Sequence, residues 1–147
     1  MSPREITAYH ESGHAIAMLH HGVLPDAAHL IDDERGKVYQ QMPREQFDYL
    51  KTQPKLLKET AIASIAGPVA EMMKYGHNVK AYVITGDTGD LQAVYGLGFT
   101  DRHDILDIQI LAHDILRSHW SKWHTFAQLL HDIGYLHRDD LAGLWNV

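Results

Sequence analysis

His10, Glu11 and His14 are the residues whose types and spacing could carry chemistry. Two histidines four positions apart on a helix project from one face, about one turn from each other, and can share a metal ion. Glu11 adjoins the first histidine and lies beside the pair, so its carboxylate reaches a metal-bound water rather than the metal. His10-Glu11-Ser12-Gly13-His14 thus reads as H-E-x-x-H, a pattern suited to zinc. Zinc held by two neutral histidines and one further protein ligand keeps a fourth position for water and lowers the pKa of that water to about 7. Glu11 is the natural general base, taking the proton during attack on a peptide carbonyl and delivering it to the departing amine. The expected function is therefore zinc-dependent hydrolysis of peptide bonds.

A helix must present these side chains. Ser2, Pro3 and Glu5 form a capping box with proline in the first turn, and Ile6, Tyr9, Gly13, Ile16 and Ala17 follow helical spacing, which predicts a helix over residues 3 to 21 ended by Gly22. Gly13 costs such a helix about 1 kcal/mol relative to alanine, a loss that makes sense if another backbone packs there. Ala28 to Ile31 and Lys37 to Gln41 flank a polar turn and predict a small β-hairpin. Pro54 to about Tyr75 keeps an apolar stripe rich in alanine, the expected central helix, with Gly67-Pro68 as a place to bend and Gly76 as its stop. Ala81 to Ile84 suggests a short strand, and Asp90 opens a helical segment reaching about Tyr95. Apolar periodicity after Ile105 predicts an antiparallel helical bundle with Trp120, Trp123 and Trp145 in its core, closed by a short helix from His137. The fold class expected is mainly α, with a small β-hairpin element, in a single domain spanning 1-147.

The chain has no cysteine, so disulfides, thiolate metal sites and cysteine nucleophiles are excluded and any metal must rest on histidine and carboxylate. A net charge of -6 without a basic cluster argues against nucleic acid as a partner. No signal-peptide-like or membrane-spanning stretch stands out, so no membrane association is expected and a cytoplasmic setting is. Twelve histidines make chance pairings frequent. His103-Asp104, His113-Asp114 and His131-Asp132 could in principle hold metal in the manner of helical phosphohydrolases, although a solvated helix face accounts for them better and equivalent pairs are too many for any one to be diagnostic. Asp90, near a helix start, reads more readily as a cap than as a ligand on local grounds, with Asp87 its local competitor.

Thr7-Ala8-Tyr9-His10-Glu11-Ser12-Gly13-His14-Ala15 resembles the zinc helix in the peptidase domain of the FtsH family of AAA zinc metalloproteases. Ala66-Gly67-Pro68-Val69-Ala70-Glu71 is similar to that family's Ala-Gly-x-x-Ala-Glu segment, and Thr85-Gly86-Asp87-Thr88-Gly89-Asp90-Leu91 to its Thr-Gly-x-x-x-Asp-Leu segment. The resemblance implies a helical, zincin-like peptidase domain acting on a protein or peptide substrate, with Zn2+ held by His10, His14 and, at the position of the family's third ligand, Asp90. It also brings the expectation of a homo-oligomer or a separate ATPase partner. The 147 residues contain no G-x-x-x-x-G-K-[ST] pattern, and Pro68 stands where the family often has a basic residue, so neither ATP-driven unfolding nor a hexamer follows. Two rivals to a general peptidase are a non-catalytic, zinc-stabilised protein-binding module and a peptidase with one dedicated target, as in repressor-cleaving H-E-x-x-H proteins.

Overall fold

The Ser2 hydroxyl accepts the Glu5 N–H at 3.2 Å and Pro3 occupies the first turn, and from this cap α1 runs Pro3–His20. The computed structural model describes residues 1–40 and 44–147, with Arg44 described in its backbone only. Strands β1 (Ala27–Leu30) and β2 (Gly36–Tyr39) follow, then α2 (Arg44–Leu50), α3 (Pro54–Lys74), α4 (Gly89–Gly96), α5 (Arg102–Ser118), α6 (Trp120–Ile133), β3 (Tyr135–His137) and α7 (Arg138–Trp145). The chain is mainly helical, with one small antiparallel sheet ordered β2-β1-β3.

Helix α1 lies between α3 and α6, and α3 also receives α4 and α5. Facing residues along α1 and α3 run in opposite senses: His10 meets Glu71, Gly13 meets Ala66 and Ala70, and His14 meets Ala63. A Cβ on Gly13 would stand 2.8 Å from Ala70 Cβ and 3.0 Å from the Ala66 carbonyl, so the absence of a side chain lets the two backbones approach this closely. Ile16, Ile65, Ala66 and Val69 are sealed in the seam, and Ile108, Leu116, Trp123 and Phe126 close the core from α5 and α6. At roughly 25 cal/mol per Å² of apolar surface removed from water, such burial is the main force holding the helices together. Trp123 Nε1 donates to the Tyr9 carbonyl at 3.2 Å, and the two rings meet edge to face at 5.4 Å, which fixes α6 at the level of His10.

Three expectations need correction. Residues 81 to 84 form no strand, because the buried Gln109 side chain occupies their backbone: its Nε2 donates to the Val79 and Tyr82 carbonyls at 2.6 Å each, and its Oε1 accepts from Ile84 N–H at 3.0 Å. The hairpin forms in register Ala28 to Val38 and His29 to Lys37, but β2 ends at Tyr39, and Gln41 lies outside the described residues. A third strand, β3, joins the free edge of β1, pairing Ala28 with Leu136. Of the three tryptophans, Trp123 is fully buried while Trp120 is 46% exposed.

Candidate metal centre

The helical spacing delivers both imidazoles to one point. His10 Nε2 and His14 Nε2 stand 3.2 Å apart on the face of α1 turned toward α3 and α4. Asp90 completes the group from the first turn of α4, its Oδ2 lying 2.8 Å from His10 Nε2 and 3.2 Å from His14 Nε2. The capping role that a solitary aspartate would take here belongs to Thr88, whose hydroxyl accepts the Leu91 N–H at 3.4 Å. Asp90 is thereby free to face the histidines, while Asp87 is exposed and outside the group.

The remaining ring nitrogens settle which atoms face inward. His14 Nδ1 lies 2.7 Å from the Ala63 carbonyl, which can only accept, so Nδ1 carries the proton and Nε2 of the neutral ring offers a lone pair. His10 Nδ1 lies 2.7 Å from Glu71 Oε2, with the same consequence. Such partners fix ring orientation and tautomer in the way carboxylates and carbonyls do behind metal-bound histidines. Three lone-pair atoms then converge, and something positive must lie among them. Tetrahedral zinc with bonds of about 2.0–2.1 Å separates its ligands by about 3.3 Å, close to the separations found. His10, His14 and Asp90 therefore make a group able to bind a metal ion, and among the described residues no other cluster of three histidines and carboxylates has this geometry.

Without a metal the same convergence has to be met by protons. Burial pushes His10 down, but hydrogen bonds to Asp90 and Glu71 overcome it and raise the imidazole to about 10. Burial would raise Asp90, yet its bonds to His10 and His14 hold it well below the usual carboxylate range.

Glu11 is 5% exposed, with Oε1 3.5 Å from His10 Nε2. Burial raises its pKa, against the pull of His14 and His10, giving a carboxylate with more affinity for a proton than one in water. Its space is made by Gly36 at the start of β2, where a Cβ would stand 2.5 Å from Glu11 Cγ and 3.0 Å from the His29 carbonyl. Gly67 plays the corresponding part for the histidines. A Cβ there would come within 2.6 Å of His10 Nε2 and 2.7 Å of His14 Cε1, and nearer still to His14 Nε2. Ala63, Gly67 and Glu71 thus form a stripe at four-residue intervals on α3, supplying a carbonyl, a gap and a carboxylate to the two rings. Gly67, which weakens helix propensity, is the sequence signal for this stripe. The group opens onto a cleft of about 790 Å3 between α1, α3 and β2.

The other His-Asp pairs are not assembled into any such group. His113 lies 3.1 Å from Asp114 and His131 3.0 Å from Asp132, each an adjacent pair on a helix surface, and the Asp101 side chain caps the N–H of His103. No described helix is long and apolar enough to cross a membrane. No protein-family model matches the chain, and no curated protein matches it.

Proposed function

We propose that the chain is a zinc metalloendopeptidase, a single helical zincin-like domain of the kind its likeness to FtsH peptidase segments implies. The observation that carries this reading is the placement of the buried Glu11 carboxylate beside the His10, His14 and Asp90 group at an open cleft. Zinc held by those three residues would supply a Lewis acid that polarises a peptide carbonyl and acidifies a neighbouring water. Glu11 accepts the proton of that water as its oxygen bonds to the carbonyl carbon, and then delivers the proton to the nitrogen as the C–N bond breaks. Glu71 and Ala63 keep both ring Nε2 atoms turned inward throughout. A substrate in extended form is accommodated by β2, the outer strand of the β2-β1-β3 sheet, whose residues Gly36 to Val38 line the cleft.

The test is metal content by elemental mass spectrometry of wild type, His14→Ala, Asp90→Ala and Glu11→Gln, with cleavage of fluorescently labelled unfolded casein followed in parallel. About one zinc per chain in wild type and Glu11→Gln, loss in the two ligand variants, and cleavage in wild type alone is the expected pattern. Absence of bound metal in wild type after incubation with zinc overturns the reading, whereas zinc without cleavage converts the protein into a zinc-stabilised binding module.

A further inference from the structure

The cleft continues past the metal-ligand group along the antiparallel helices α1 and α3. One turn beyond Ala63 on α3, about 6 Å along the axis, stands Glu59, and about two turns beyond His14, at the C-cap of α1, stands His21, and both line the same cavity. Met18, Val38 and Leu50 give the same cavity apolar surface, beside the polar Thr60 and Ser64 of α3.

Two groups at this end lack adequate partners. The Glu59 side chain is only 20% exposed, and its ion pair among the described residues is with Lys55 Nζ at 3.9 Å, on a side chain 89% exposed. A pair so long and so wet contributes little. His21 Nδ1 is buried and has no hydrogen-bond partner among the described residues. Burial lowers the pKa of His21, with Glu59 the foremost influence in the other direction, so the ring is a poor source of positive charge for Glu59. Lys37, although it lines the cleft, places its ammonium over the Tyr39 ring at 5.0 Å.

A largely buried carboxylate in a cavity that also offers apolar side chains suits a cation on an aliphatic stem, because the stem packs on Met18, Val38 and Leu50 while the head pairs with the carboxylate. An apolar side chain would fill the space and leave Glu59 stranded, and an acidic one would be repelled. We infer that this end of the cleft is a specificity pocket for a basic side chain, lysine or arginine, on a substrate residue beside the scissile bond, with Glu59 pairing with the cationic head. The inference rests on the peptidase reading for the identity of the ligand as a peptide, and its binding chemistry can be measured separately from turnover.

The experiment uses labelled octapeptides identical except for lysine, norleucine or glutamate at a scanned central position. Cleavage by the zinc-loaded wild type and equilibrium binding to Glu11→Gln are both recorded. Lysine is expected to exceed norleucine by about tenfold or more in kcat/KM and in affinity, Glu59→Gln to collapse that ratio, and Glu59→Lys to shift preference toward glutamate, each variant being checked for zinc content and folded circular dichroism. Cleavage that does not distinguish lysine from norleucine overturns the pocket and leaves the peptidase standing. Lysine-selective binding abolished by Glu59→Gln, without cleavage in wild type, retains the pocket and refutes the peptidase. No interaction with any of the peptides overturns the inference.

Discussion

Replacing Gly67 by alanine tests the proposed metal centre separately from the fold, because the added methyl meets the histidine ring atoms proposed as ligands. The new Cβ would stand 2.6 Å from His10 Nε2 and 2.7 Å from His14 Cε1, against at least 3.4 Å for ordinary contact, so the His10 ring must retreat by about 0.8 Å and that of His14 by a similar amount or more. Metal–ligand distances hold to within about 0.2 Å in functional sites, so displacements of this size are incompatible with binding by all three residues. Zinc affinity should fall by at least about 100-fold, the upper end of what loss of an orienting partner costs and less than this direct displacement demands. The fold should fare far better. Alanine recovers about 1 kcal/mol of helix propensity, offsetting part of an overpacking cost of about 1–3 kcal/mol, and the rings can swing into the cleft. Competition with a chromophoric chelator would give the affinity, and thermal denaturation of chelator-treated protein the stability. Gly13→Ala is the control: its Cβ meets Ala70 Cβ and the Ala66 carbonyl, so it should lower stability by prising α1 from α3. Wild-type zinc affinity in Gly67→Ala would refute the assignment of His10 and His14 as joint ligands.

Gly36→Ala should push Glu11 aside, lowering kcat by about 100-fold or more while zinc stays bound, since the methyl would lie 2.5 Å from Glu11 Cγ; unchanged kcat would dissociate Glu11 from turnover. In chelator-treated protein His10 is raised from 6.5 to about 10, so its bonds to Asp90 and Glu71 stabilise fully below pH 6.5 and are lost as pH rises through about 10. Asp90, lowered from 3.8, contributes above that pH and loses its share as pH falls. Melting temperature of the stripped protein should therefore decline from pH 6.5 to 10, while the rise on adding zinc grows over the same range because the metal needs unprotonated His10; a flat profile in both forms would contradict the ring geometry. Gln109→Ala removes the three bonds that hold residues 79 to 84 and should cost roughly 3 kcal/mol, with faster hydrogen exchange in that segment and weaker zinc binding through a loosened α4. A change in melting temperature of under 2 °C would count against it, since about 1 kcal/mol shifts a domain this size by roughly 4 °C.

What could be read from the residues was what depends on short range. The cap at Ser2, the four-residue interval between His10 and His14, and the long apolar stripe of α3 are local signals, and α1 and α3 formed close to the expected bounds. The place of Asp90 beside the histidines came from a motif likeness, since by local rules an aspartate there is a cap, a part that Thr88 takes in α4. What escaped reading depends on distant neighbours. Tyr135-Leu136-His137 becomes a strand only because β1 offers an edge, and Ala81 to Ile84 fails to become one because Gln109, more than twenty positions away, takes its polar groups. Helix α2, too short to show a clear apolar period, went unanticipated. Gly36 and Gly67 look alike in a sequence, as breaks in regularity, and only the packed structure distinguishes a seat for a carboxylate from a gap for two rings.

The order of strands in the sheet has a consequence for synthesis. β1 is the central strand, yet β3 is made about 100 residues after it, whereas β2 follows after a five-residue turn. At about 5–20 residues per second, one edge of β1 stays open for about 5–20 s after the hairpin can close. During that interval the nascent chain displays an unpaired strand beside the nascent histidine helix, the kind of edge that templates pairing with other chains. Slowing translation ahead of residue 135 should therefore lower the soluble yield without altering the finished protein.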